Sequence, residues 1–163
     1  TTDFFFFFSS ESNSIAIIVK HMHGNMLSRW TDIFTTDGEK EWRNRDVEFE
    51  TDGTTAELVL QQWEQGWDCL FKTMNSLTEM DLERIIYIRA EPHTVLEAIN
   101  RQLAHYPYHV GQLVFIGKML MNDKWKSLSI PKNTSSTYNN EMFAKKIESA
   151  KEGDSFLTDK RDA

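Results

Sequence analysis

An all-α helical bundle is the fold class this sequence predicts. Three stretches carry that prediction, near residues 14–35, 54–76 and 93–122, each placing apolar side chains at intervals of three and four. That spacing gathers them on one face of an α-helix, whereas a strand would need alternation. The second observation is length: 163 residues suffice to bury one core without disulfide or metal staples.

Taken in order, the chain opens on Phe4 to Phe8, an apolar, β-favouring run with no helical period, expected to pack onto a core. Ser12, Asn13 and Ser14 are candidate N-caps for a helix from about Ile15 to Phe34. Its stripe is Ile15, Ile18, Val19, Met22, Met26, Trp30, Ile33 and Phe34. Gly24 inside it costs about 1 kcal/mol relative to Ala and therefore marks the close approach of a neighbouring element. Thr35 to Gly53 is a charged connection of nineteen residues, long for a bundle loop, with Trp42 and Phe49 able to pin it. Arg43 and Arg45 in it read as solvated cations, with contact to an anionic ligand as the other reading.

Thr54 and Glu57 have capping-box spacing for the next helix, whose stripe runs Leu60, Trp63, Trp67, Leu70, Phe71 and Met74. Cys69 lies beside that stripe without basic neighbours and reads as structural. Leu77 to Glu83 predicts one helical turn capped by Thr78, and Arg84 to Arg89 a short extended segment. Thr94 caps the third long helix, in which Pro107 predicts a bend and Gly111 and Gly117 predict tight helix contacts. Beyond Asn122 the chain turns polar; Asn140 to Ala150 reads as a short helix and Lys151 to Ala163 as a frayed end.

Composition removes several function classes. Lys and Arg number 18 against 25 Asp and Glu, a formal charge of −7, and no basic run exceeds two residues. The electrostatic footprint of a nucleic-acid binder is therefore missing, and anionic lipid would repel the surface. No apolar run reaches the length of a membrane span. A single cysteine, Cys69, allows no internal disulfide, and the Phe run is too short for a signal-peptide core. A cytoplasmic protein is the expectation.

The chemistry sits on the third helix, where His105 and His109 are four residues apart and so share a face one turn apart. Two imidazoles placed that way can aim nitrogens at one point. On the first helix His21 shares a face with Ile18 and looks inward, while His23 lies about 200° around the axis. An inward His is either a hydrogen-bonded core residue or, here, a third ligand. Gln102, Gln112 and Asn25 are spaced to support the imidazoles, or equally to satisfy buried backbone. His93, beside Pro92 in a turn, reads as solvated. Neither a Ser-His-Asp or Cys-His nucleophile nor a Gly-rich phosphate loop is evident.

The runs SNSIAIIVKHMHGNMLSRWTD, WRNRDVEFE and HTVLEAINRQLAHYPYHVGQLVFIGKML resemble the DinB-like helical bundle family, from Ser12 to about Asn140. The resemblance implies an up-down-down-up four-helix bundle in which three histidines hold a divalent metal, mapping onto His21, His105 and His109. The family's first helix would precede Ser12, where this sequence has eleven residues, five of them Phe, so the bundle is expected to lack it. The expected organisation is an apolar segment 1–13, a DinB-like bundle 14–140 and a C-terminal extension 141–163. Three imidazoles leave open coordination positions, and they suit Zn, Ni or Fe alike. Relatives in the wider superfamily imply a metal-dependent thiol S-transferase or hydrolase, with a small-molecule substrate such as a low-molecular-weight thiol. The alternative is a non-catalytic bundle serving dimerisation or partner binding. Without its first helix the bundle would leave an apolar face uncovered, and a homodimer is expected.

Overall fold

The structure, a computed structural model, describes residues 2–50 and 53–145. It is mostly helical with one small two-stranded sheet, so the all-α expectation is corrected by a β-hairpin. The chain divides into two compact units, Thr1–Leu120 and Met121–Ala163.

The first unit is built on helix α1, Ile15–Trp30. Of the three candidate caps, Ser14 takes the role: its hydroxyl accepts the Ile17 N–H at 3.3 Å. The helix stops four residues before Phe34. Thr31 turns extended, Asp32 adopts the left-handed region at φ 48°, and the backbone N–H groups of Thr35 and Thr36 close a tight turn onto the Asp32 carbonyl. The two threonine hydroxyls donate to that same carbonyl, giving the backbone an alternative to another helical turn. Ile18, Met22, Met26 and Trp30 form the spine of the core. The buried Trp30 indole donates to the Tyr106 hydroxyl at 2.9 Å, which donates to Asn25 Oδ1 at 3.1 Å.

Helix α2, Ala56–Ser76, is capped one residue later than its sequence spacing indicates. Thr55, not Thr54, accepts the Leu58 N–H. Its buried line is Val59, Gly66 and Leu70, while Leu60 and Phe71 from the expected stripe are more than half exposed. Gly66 sets that face. A Cβ there would stand 2.9 Å from Met26 Sδ and 3.3 Å from the His23 Cα, so α1 and α2 approach as closely as glycine allows. Gly111 makes no such contact among the described residues.

A 3-10 turn over Glu79–Glu83, capped by Thr78 as expected, leads into the hairpin of β1, Ile85–Ile88, and β2, Glu91–Thr94. The strands pair antiparallel, Ile85 opposite Thr94 and Ile88 opposite Glu91. Ile86 and Ile88 are buried and Ile85 and Tyr87 exposed, the alternation of a half-buried strand. The hairpin turns at Arg89 and Ala90 with φ 55° and 62°, the left-handed pair of a type I′ turn without its usual Asn-Gly. Asp37 replaces what those residues lack: its carboxylate accepts both turn N–H groups at 2.8 Å and the Glu39 N–H at 2.7 Å. Burial works against that carboxylate's charge, but the N–H donors of Ala90, Glu39 and Arg89 outweigh it and lower the pKa.

Helix α3, Val95–Met121, runs on through Pro107. Thr94 and Glu97 cap it reciprocally, hydroxyl to N–H at 3.1 Å and carboxylate to N–H at 2.7 Å. Trp67, Phe71, Leu103, Pro107 and Val110 line an apolar groove of about 380 Å³ that stays open. The N-terminal Phe run divides. Thr2–Phe5 forms a 3-10 turn; Phe4 and Phe5 pack beside Ala16, Val19 and Val59 as expected, while Phe6, Phe7 and Phe8 are exposed.

The second unit, as described, holds a 3-10 turn at Asn122–Lys124 and a helix over 135–145. That helix starts five residues before the expected Asn140. The remainder of the expected helix and the stretch Lys151 to Ala163 lie outside the described residues. Among the described residues, no helix is long and apolar enough to cross a membrane.

Candidate metal centre

Each of the three candidate imidazoles is oriented by an oxygen acceptor. His21, on the buried face of α1, donates from Nδ1 to Glu48 Oε2 at 2.8 Å. On α3, His105 Nδ1 faces Gln102 Oε1 at 3.3 Å and His109 Nδ1 faces Gln112 Oε1 at 2.8 Å. Both amides stand three residues from their histidine, where a helix brings side chains together. An imidazole that donates from Nδ1 is left with a lone pair on Nε2. All three lone pairs then point at one another: His21 Nε2 is 3.4 Å from His105 Nε2, which is 3.1 Å from His109 Nε2.

Three acceptors with no proton among them are poorly satisfied by each other and well satisfied by a cation. Nitrogens 2.0–2.1 Å from a tetrahedral centre lie about 3.4 Å apart, close to the separations found. His21, His105 and His109 thus lie close enough to hold one metal ion, their ligand atoms all within 4.8 Å of one another. The fit rests on donor type, spacing and fixed tautomer together.

The support behind His21 was not legible as such in the sequence. Glu48 sits on a 3-10 turn, Asp46–Phe49, in the long connection, and is 6 % exposed. It accepts from His21 and, in fork geometry, from Arg43 Nε at 2.7 Å and Arg43 Nη2 at 3.1 Å. Arg43 is therefore not a solvated loop cation; its side chain is 3 % exposed. Gly24 is the trace this leaves in α1, because a Cβ there would collide with Glu48 Oε1. The glycine does mark a close approach, three residues on from His21, and that was the available signal for a partner beside this imidazole. Phe49 adds a ring 5.7 Å from His21, and the Arg45 guanidinium lies over that ring at 5.1 Å from its centre. Trp42, the other expected pin, is 59 % exposed.

Gln102 and Gln112 stand where the sequence placed them, whereas Asn25 takes the Tyr106 hydroxyl instead of supporting His21. His23 and His93 lie outside the three-histidine group. His93 is not solvated: it is half-buried opposite Ile86 in the hairpin, and its Nε2 has no hydrogen-bond partner among the described residues.

The electrostatics favour the neutral form of the two ligands on α3. Burial foremost, then the proximity of His109, His21, Arg29 and Arg43, lowers the His105 pKa to about 4. Burial also lowers His109, against the opposing hydrogen bond to Gln112. Glu48 is the reverse case: burial raises its pKa, but the hydrogen bonds from His21 and Arg43 prevail and hold it lowered.

A pH dependence follows. In the unfolded chain this histidine protonates near 6.5, while folded His105 stays neutral to about 4. Between those values the unfolded state binds the extra proton, so metal-free protein loses stability as pH falls from about 6.5 towards 4 and levels off below. Urea midpoints across that window should drop for the wild type and drop less for His105→Gln. Parallel profiles would remove His105 as the source.

His21 and His105 open onto a cavity of about 210 Å³, so the triad reaches solvent on one side. No curated protein and no solved structure matches this chain. A family comparison does match, over residues 1–134, which is most of the sequence and includes all three histidines, Glu48 and Arg43. The chain belongs to the family described as Protein of unknown function (DUF1572).

Proposed function

We propose that this protein is a DinB-like, divalent-metal-dependent enzyme, a thiol S-transferase or hydrolase working at an open three-histidine site. The observation that carries this reading is the convergence of three Nε2 lone pairs beside a solvent-connected cavity. A structural zinc site is closed by four protein ligands, whereas catalytic sites retain a position for water or substrate. Among the described residues only three His, Cys, Asp or Glu side chains converge here, which supports the open type. A bound Zn, Ni or Fe ion would supply Lewis acidity, favouring a thiolate over a thiol or polarising a substrate oxygen.

The chain's own residues do the rest. Glu48, Gln102 and Gln112 fix the imidazole tautomers and so aim the ligands before anything binds. Arg43 keeps Glu48 ionised and in place. The low His105 pKa leaves its nitrogen free of a proton at neutral pH.

The test is purification of the full chain without added metal, elemental analysis, and two assays before and after chelation and reloading. One follows cysteine displacing chloride from an aryl chloride, with an S–C bond formed, chloride released and the thiol proton passed to buffer. The other follows hydrolysis of a nitrophenyl ester. Turnover that chelation abolishes and reloading restores is the expected result. Stoichiometric metal with no metal-dependent turnover in a wider substrate screen would leave the non-catalytic bundle instead.

A further inference from the structure

The cavity beside the three histidines has a second chemical character. Five arginines line it, Arg29, Arg43, Arg45, Arg89 and Arg101, in a chain whose overall charge is −7. They come from separate places in the fold: Arg29 from α1, Arg43 and Arg45 from the long connection, Arg89 from the hairpin turn and Arg101 from α3. Two of them are committed. Arg43 is forked onto Glu48, and Arg89 reaches Glu39 at 3.3 Å from an exposed position.

Arg29 is buried too, and it is not committed. Its side chain belongs to a residue 4 % exposed, and its Nε and Nη1 have no hydrogen-bond partner among the described residues. Gly38 closes over it, so near that a Cβ there would stand 3.0 Å from Nη1. Two guanidinium nitrogens held out of water without an acceptor are costly, and proteins rarely keep such a pair unless something else supplies the charge. Burial first, then Arg101, works against the Arg29 charge, and Glu39 offsets this only in part. No carboxylate of the described chain makes a salt bridge with Arg29.

We propose that this cavity is an oxyanion subsite: it takes the carboxylate or phosphate of a small anionic substrate, gripped by Arg29 from below and by Arg101 at the rim. Planar guanidinium forks suit both anions. The volume of about 210 Å³ lies under the range usual for drug-sized ligands, so the occupant is small. His105 and His21 line the same cavity, which places the anion's other end beside two of the three candidate ligands. The subsite deepens the proposed function by naming its substrate class, and it rests on that reading for its catalytic meaning though not for its existence.

The experiment is calorimetric titration of the full chain, as purified and after chelation, with inorganic phosphate and separately with malonate. Binding of phosphate alone identifies a phosphoryl group, of malonate alone a carboxylate, and of both a general oxyanion site; each supports the subsite. Arg29→Met should weaken binding by about 10- to 100-fold, the worth of a charge-assisted hydrogen bond. Arg101→Gln, at an exposed position that leaves the core untouched, should weaken it by a smaller factor. If Arg29→Met fails to fold, Arg101→Gln and competition by rising chloride still decide the matter. Absence of binding by both anions at millimolar concentration overturns the subsite, as does unchanged affinity in both variants. Metal stoichiometry is measured in parallel. Anion binding without metal would defeat the metal-enzyme reading and spare the subsite, and metal without anion binding would do the opposite.

Discussion

Replacing His21, His105 or His109 by Ala abolishes stoichiometric divalent-metal binding, while His23→Ala and His93→Ala retain it. The geometry gives the reason. Three Nε2 atoms, 3.4 Å and 3.1 Å apart along the chain His21–His105–His109, form one donor set, and among the described residues His23 and His93 belong to no such group. Loss of an outer partner of a ligand histidine lowers metal affinity by about 10- to 100-fold, so loss of the ligand itself should exceed that. Stability reports the same event: a ligand at 100 times its Kd stabilises the folded state by about 2.7 kcal/mol. Zinc should therefore raise the thermal midpoint of wild type, His23→Ala and His93→Ala, and leave the three ligand variants unmoved. A metal content that survives all five substitutions would mean that the ion sits elsewhere. His21→Ala retaining metal while His23→Ala loses it would mean that α1 presents the other face.

Much of this site was legible because its parts obey helical periodicity. His105 and His109 share a face by spacing alone, Gln102 and Gln112 fall three residues from them, and Ile18 marked the inward side for His21. What spacing cannot reveal is a contact closed by a loop. Glu48 is 27 residues from His21, in a connection without apolar period, and only the folded chain brings them together. The β-hairpin escaped for a related reason. Ile85–Ile88 has the composition of a strand, but β2 contains Pro92 and turns through Arg89 and Ala90, whose left-handed backbone is supported by the distant Asp37. In α2 the expected stripe largely faces the core, through Trp63, Trp67, Leu70 and Met74, but it missed Val59 and took in Leu60 and Phe71. Gly66, which no hydrophobic count includes, is where α1 comes closest, and that rotates Leu60 and Phe71 out to solvent.

Glu48→Ala should destabilise the metal-free protein by about 3–5 kcal/mol, the usual cost of removing one member of a buried ion pair. The carboxylate is one of the few buried charges here and accepts from two residues at once. Without it, Arg43 keeps a side chain 3 % exposed and only a 3.4 Å contact to Glu39. The stranded guanidinium carries most of that cost, since an unpaired buried charge is dearer than the pair is valuable. A double-mutant cycle separates the two: Arg43→Met should recover part of the loss in the Glu48→Ala background, because the second change removes the stranded charge. Glu48→Gln keeps an acceptor for the His21 Nδ1–H but loses the charge, and its metal affinity should fall by about 10- to 100-fold with a smaller loss of stability. Gly24→Ala approaches the same site from the other side. Ala is the better helix former by about 1 kcal/mol, yet its Cβ would take the place of Glu48 Oε1, so metal affinity should drop even if the helix gains. Urea denaturation and metal titration of these variants check the argument. A loss under 1 kcal/mol for Glu48→Ala, with wild-type metal affinity in Glu48→Gln, would show that His21 is held by the helix alone.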